Sequence, residues 1–241
     1  MDDIYSLRDS AIKLMKIREF NVHNFIETNG YTMSINTEHS IAIRRQFSNG
    51  CVCVTQRGFK RTFYHCFMVR RFDRTDAGQR LHFASAMTLT RHQDGDDYSA
   101  GVSHLELAEV LIRNGAQTNA DLQELWSRIV FNILVSNSDD HLRNHGFILV
   151  PGKGWRLSEA YDINPAPRAD GLKLNITEAD NALDLELARE VAEYFRLKLT
   201  EADEIIANYR WIVSQWRAIA DSLTLPYREQ EQMAEAFRRA M

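Results

Sequence analysis

Apolar residues recur at helical spacing over residues 5–22, where Leu7, Ala11, Leu14 and Met15 share one face, so the pattern predicts an amphipathic helix. The pattern changes over residues 29–72. SIAI, CVCVTQ and TFYHCFMV are short runs of β-type residues, broken by Asn-Gly at 29–30 and again at 49–50. They predict a small, irregular β-rich segment. Phe63, Tyr64 and Phe67 alternate with polar and basic residues, as on a strand with one wet face. After about residue 100 the helical period returns. Leu105, Leu107, Ala108, Leu111 and Ile112 predict a helix over 103–115 with Gly115 as its stop. Asn119 or Asp121 opens the next helix, which runs through Leu125, Trp126, Ile129, Val130, Ile133 and Leu134 to about Ser136. It becomes apolar on nearly all sides, which predicts a central buried helix. Further helices are expected at about 178–195, 200–222 and 226–240.

The shift from β-type to helical pattern near residues 75–100 marks the candidate boundary. It suggests a reduced, irregular β-containing part over 1–75 and a mostly helical part over 76–241, an α+β chain. Trp155, Trp211 and Trp216 are expected to pack in the core.

Composition narrows the class. Of the 241 residues, 44% are hydrophobic and 26% charged, enough apolar side chain for a core and too few charges for disorder. The net charge of −4 points neither to direct nucleic-acid binding nor to a membrane surface. Arg44, Arg45, Arg57, Lys60, Arg61, Arg70 and Arg71 read as a solvated basic surface. Cys51, Cys53 and Cys66 offer C-x-C with no second pair, so neither a zinc site nor a disulfide framework is expected. The polar N-terminus carries no secretory signal, and the longest apolar run is far too short to span a bilayer. A reduced, cytoplasmic protein is the expectation.

The chemistry concentrates in NSDDHLRNHGFILVPGKGWRLSEAYDINP. The predicted buried helix is followed by a polar loop over 137–144. Short β runs at 147–150 and 155–157 follow, joined by Pro151-Gly152-Lys153-Gly154. The stretch closes on Tyr161-Asp162. Helix, D-x-x-x-x-N loop, hairpin and a lone Asp occur in this order in protein kinases. Phosphoryl transfer needs a carboxylate at the attacking hydroxyl and oxygen ligands that hold magnesium on the β- and γ-phosphates. Asp139 fits the first role, and Asn144 and Asp162 the second. A plainer reading stays open, in which Asn137, Asp139 and Asp140 only terminate the helix and make turns. His141 and His145 stand at i, i+4, a zinc spacing on a helix, but Gly146 and a β run follow at once and argue against a helix there. His82 and His104 have no partner that the sequence identifies.

SNSDDHLRNHGF followed by WRLSEAYDINP resembles the C-terminal region of HipA-type serine/threonine kinases, the toxins of bacterial toxin–antitoxin modules. RRFDR at 70–74 and HFASAM at 82–87 resemble the same family, and the likeness extends over about residues 67–220. The resemblance implies a protein-kinase-like fold, ATP and Mg2+ as cofactors, and phosphorylation of a protein Ser or Thr; in some members the target is an aminoacyl-tRNA synthetase. It implies a helix-turn-helix antitoxin as partner. By position, Asp139 corresponds to the catalytic base, and Asn144 and Asp162 to the magnesium ligands. His141 and Tyr161 correspond to nucleotide-site neighbours. Arg143 stands where the family commonly has Lys and is expected to touch phosphate. The Arg70–Phe72 backbone corresponds to the hinge that meets adenine.

The departures lie upstream. Residues 23–65 show no recognisable match and read as divergent, inserted or frameshifted. Lys60 follows Gly58-Phe59 in surroundings unlike those of the family's phosphate-pairing lysine. Arg8 or Asp9 stands where an ion-pairing Glu is expected. These departures support an alternative: a truncated, catalytically inactive kinase-like remnant that binds nucleotide or a partner.

Overall fold

The computed structural model describes residues 24–28, 31–35, 52–55, 65–70, 72–75, 77–222 and 225–241. The helix expected at 5–22, the SIAI run and Lys60 lie outside them. Contacts separate a unit that ends at Leu81 from one that begins at His82.

The first unit holds a sheet of β1 (Asn24–Thr28), β2 (Tyr31–Ile35), β3 (Val52–Thr55) and β4 (His65–Arg70). The order is β1-β2-β4-β3, antiparallel throughout. The β1–β2 pairing runs from Asn24 opposite Ile35 to Thr28 opposite Tyr31. The sequence pattern had no place for β1, because NFIET is short and carries two polar ends. After β4, Arg74 bridges Arg80, and the Leu81 amide donates to the Asp73 carbonyl at 2.9 Å.

The second unit is mostly helical. A three-stranded antiparallel sheet, β5 (Phe83–Ser85), β6 (Gly146–Val150) and β7 (Gly154–Leu157), accompanies α1 (Ala86–Thr90), α2 (His104–Asn114) and α3 (Thr118–Leu134). Then come α4 (Leu185–Glu190), α5 (Leu199–Ser214), α6 (Trp216–Ser222) and α7 (Tyr227–Met233). Short 3-10 turns cover Ala192–Phe195 and Ala234–Ala240. An α+β chain with a helical body and a small N-terminal sheet is what the sequence pattern predicts.

Helix α3 is the spine. Leu122, Leu125, Trp126, Ile129, Val130, Ile133 and Leu134 are all fully buried. Each such aliphatic side chain contributes roughly 1.5–3 kcal/mol by leaving water. Trp126 satisfies its indole by donating to the Ala188 carbonyl at 2.7 Å, which ties α4 to the spine. Helices α2 and α5 and the two 3-10 turns pack around α3.

Several boundaries differ from the periodic reading. Helix α3 opens at Thr118, ahead of both proposed starters. On α2 the inward face is His104, Leu107, Ala108 and Leu111, and Ile112 is 46% exposed. Residues 178–184 are not helical. Thr177 accepts from the Ala179 and Asp180 amides, a local turn that outcompetes the helix, and Asp184 caps α4 by accepting from Glu186. The long helix expected over 200–222 is two, split at Gln215. Trp216 is buried and stacks on Phe237 with ring centroids 4.6 Å apart. Trp211 is half exposed rather than in the core, and Trp155 is only partly buried, edge-on to His82. Among the described residues no helix is long and apolar enough to cross a membrane.

Candidate nucleotide and metal site

The loop that follows α3 is held from several sides. Ser136 turns the chain in the left-handed region at φ 55°. Its hydroxyl donates to the Ala236 carbonyl at 2.9 Å and accepts from Arg239 at 2.9 Å. These bonds offset a backbone conformation that L-residues avoid. Asn137 then works in both directions. Its amide nitrogen donates to Asn132 Oδ1 at 3.2 Å, and its oxygen accepts from the Asp139 backbone at 3.3 Å. At the other end of the loop, Ala86 donates to the His145 carbonyl at 2.8 Å and Met87 to the Leu142 carbonyl at 3.4 Å. The first turn of α1 thus spends its otherwise unpaired N–H groups on the loop.

Within this frame Asp139 is exposed and Asn144 is buried. Asn144 Nδ2 donates to the Asp139 carbonyl at 3.0 Å. That bond sets the orientation of the amide and makes Oδ1 the atom that Asn144 can offer a cation.

Hairpin β6–β7 carries the chain to Asp162. Phe147 pairs with Leu157 and Val150 with Gly154. At its exit, Arg128 of α3 donates to the Ser158 carbonyl at 2.6 Å while its Nε holds Glu124 at 2.9 Å. Tyr161 then donates its hydroxyl to the Arg143 carbonyl at 2.7 Å. Burial pushes this phenol above its ordinary value, so it remains a neutral donor. Asp162 follows at φ 56°, another left-handed non-glycine residue, and its Oδ1 accepts from Asn164 at 3.0 Å.

Asp139, His141, Arg143, Asn144, Tyr161 and Asp162 therefore sit on two segments joined by the Tyr161–Arg143 bond. Arg143 is paired with Asp94, and His141 is half buried. Arg70 and Phe72 belong to the first unit: Arg70 ends β4 opposite Tyr31, and Phe72 follows half buried. Asn144 Oδ1 and the Asp162 carboxylate are hard oxygen donors of the kind magnesium takes, so the donor set fits that ion.

A second cluster lies in the same loop. Asp140 is buried, with Oδ2 3.0 Å from His104 Nε2 and Oδ1 2.9 Å from His145 Nε2. The two imidazoles oppose the burial that would raise this carboxyl and hold it well below the usual carboxylate range. Burial lowers His145, against the pull of Asp140. His104 also meets the Asn175 carbonyl through Nδ1 at 3.0 Å. The sequence offers Asp140 as a helix terminator or turn former and sets His145 beside His141, and it identifies no partner for His104. Its one available signal was a histidine on the apolar face of α2, 36 residues from the carboxylate it meets.

The chain matches the HipA-like C-terminal domain family over residues 33–239, so the likeness begins well upstream of residue 67, where the motifs place its start, and takes in much of 23–65. A Haemophilus influenzae protein named "Putative kinase" is 28% identical over 109 residues, covering 42% of this chain and 32% of that protein. Among solved structures, the Shewanella oneidensis toxin–antitoxin complex of HipA, HipB and operator DNA aligns with a TM-score of 0.63 at 18% identity. That alignment covers 88% of this chain and 57% of the matched one. The chain thus spans about a third of the first relative and little more than half of the second.

Proposed function

Because the chain belongs to the family of HipA-like C-terminal domains, we propose that it uses magnesium–ATP to phosphorylate a Ser or Thr on a protein. The observation that carries this reading is the pair of bonds Asn144–Asp139 and Tyr161–Arg143, which gather a general-base candidate and two oxygen ligands onto one linked pair of segments. Magnesium, held by Asn144 and Asp162, would neutralise charge on the phosphates. Asp139 is exposed, as a group meeting an incoming hydroxyl must be. It takes the hydroxyl proton as that oxygen bonds to the γ-phosphorus and the bond to ADP breaks. Tyr161 keeps the hairpin exit against the loop. Arg143 offers a guanidinium to phosphate in exchange for Asp94. A helix-turn-helix antitoxin is the proposed partner, and a protein such as an aminoacyl-tRNA synthetase the proposed acceptor.

The departures in the sequence, Lys60 in unfamiliar surroundings and Arg8 or Asp9 in place of an ion-pairing Glu, favour a second reading, a kinase-like protein that binds nucleotide and does not transfer. One experiment separates the two. The full chain is incubated with γ-labelled ATP and magnesium, alone and with lysate, beside Asp139→Asn. Transfer that the variant loses supports the kinase. Magnesium-dependent nucleotide binding without transfer supports the second reading. No binding by a folded chain overturns both.

A further inference from the structure

We propose that His104, Asp140 and His145 form a buried site for one borderline divalent ion, zinc being the natural occupant, separate from the magnesium ligands of the same loop. Their ligand atoms lie within 4.8 Å of one another, and all three side chains are excluded from solvent. Zinc donors sit about 2.0–2.2 Å from the ion, so ligands around one tetrahedral centre are separated by little more than 3 Å. The spacings of 3.0 Å to Asp140 Oδ2 and 2.9 Å to Oδ1 must open slightly, and the widest spacing in the cluster, within 4.8 Å, must close toward the same value.

Proton counting supplies the independent argument. Both ring nitrogens of His104 face atoms that only accept, the Asn175 carbonyl and the Asp140 carboxylate. A neutral imidazole has one N–H and can serve one of them. With that proton on Nδ1, the Asn175 carbonyl fixes the tautomer and Nε2 directs a lone pair at a carboxylate oxygen. Two electron pairs so placed repel unless a cation lies between them. The backbone carbonyl on the far nitrogen is also the usual way a metal-bound histidine is oriented.

His145 points the same way. It is 1% exposed, and neither ring nitrogen makes a hydrogen bond among the described residues. Its Nε2 is near Asp140 Oδ1 but off the line of a good hydrogen bond. Its ring stands at 88° to that of His104, with centroids 5.5 Å apart. Leaving an interior imidazole with only an off-line approach to a carboxylate is costly, and coordination removes the cost. Two imidazole nitrogens and one carboxylate select zinc or cobalt over magnesium. The alternative is an imidazolium–carboxylate pair at His104, which leaves His145 without a role. The inference does not depend on the kinase reading, since it rests on side chains other than the proposed magnesium ligands.

The test uses the full chain, stripped with chelator, dialysed and titrated with Co2+ and Zn2+. The expected result is one equivalent of Co2+ with visible d–d absorption of tetrahedral type. Zn2+ should displace it, excess Mg2+ should not, and bound Zn2+ should raise the melting temperature. His145→Phe, which keeps a ring in the core, should abolish the absorption, and Asp139→Asn should retain it. A folded wild-type chain with no cobalt absorption and no zinc-dependent melting shift overturns the proposal. Absorption that persists in folded His145→Phe also overturns it, by placing the ion elsewhere, for instance on Cys51, Cys53 or Cys66. If His145→Phe does not fold, the wild-type spectrum and melting shift decide.

Discussion

The Tyr161 hydroxyl donates to the backbone carbonyl of Arg143 at 2.7 Å, so the residue before Asp162 is fastened to the residue before Asn144. Removing this bond should uncouple the two segments that carry the proposed magnesium ligands. Tyr161→Phe keeps the ring and leaves the Arg143 carbonyl short of a donor, at a cost of about 1–2 kcal/mol. The expected outcome is a modestly lower melting temperature and a severalfold weaker magnesium-dependent nucleotide affinity. Calorimetric titration at fixed magnesium reads the second quantity. Unchanged affinity would remove the bond from the account of the site.

How much of this was legible beforehand depended on range. Helix α3 was legible because six large apolar residues recur at helical spacing, and the hairpin because Pro151-Gly152-Lys153-Gly154 separates two β runs. Local competition was not legible. The Thr177 turn and the Asp184 cap shorten α4, and a periodic count does not see side chains bonding to nearby backbone. Long-range pairing was hidden as well. Asp140 looked like one more loop carboxylate, and only the packing of α2 brings His104 to it. Trp211 was misplaced because the single helix expected there breaks at Gln215, which leaves Trp211 exposed on α5 and Trp216 buried on α6.

The hairpin turn offers a paired test of backbone constraint. Gly152 and Gly154 both have positive φ, at 72° and 119°. A Cβ on Gly152 would meet open space, whereas one on Gly154 would run into the Asn114 carbonyl at the end of α2. Gly152→Ala should cost about 1 kcal/mol, the left-handed penalty alone. Gly154→Ala should cost roughly 2–4 kcal/mol, because strain adds to a backbone collision. Denaturant unfolding of the two variants checks the difference. Equal losses would mean that the approach of α2 to the hairpin is not rigid.

A pH effect follows from His92. Its Nε2 lies 2.8 Å from Glu106 and its Nδ1 3.3 Å from Asp96. Burial works to lower its pKa, but the hydrogen bonds and charges of Glu106 and then Asp96 outweigh burial and raise it. A raised folded value means that the protonated ring stabilises the fold. That contribution is complete below the unfolded value of about 6.5 and fades as pH rises through the folded value. Melting of wild type and His92→Gln should therefore differ most near pH 5.5 and converge by pH 8.5. A gap that stays constant across that range would show that the ring contributes by packing alone.

Asp162 separates fold from function most sharply. At φ 56° it occupies a conformation that costs an ordinary residue about 1 kcal/mol and glycine almost nothing. Its carboxylate accepts one exposed bond, from Asn164, which is worth little in water. A residue kept for stability at this position would be glycine. The acid persists there at a cost, as groups at working sites often do. Asp162→Gly should leave the melting temperature unchanged or slightly higher while abolishing magnesium-dependent nucleotide binding. Asp162→Ala should lose both the binding and about 1 kcal/mol of stability, since alanine keeps the strain and lacks the ligand. If Asp162→Gly binds magnesium–nucleotide as wild type does, the carboxylate is not a metal ligand and the strain at residue 162 serves only the turn.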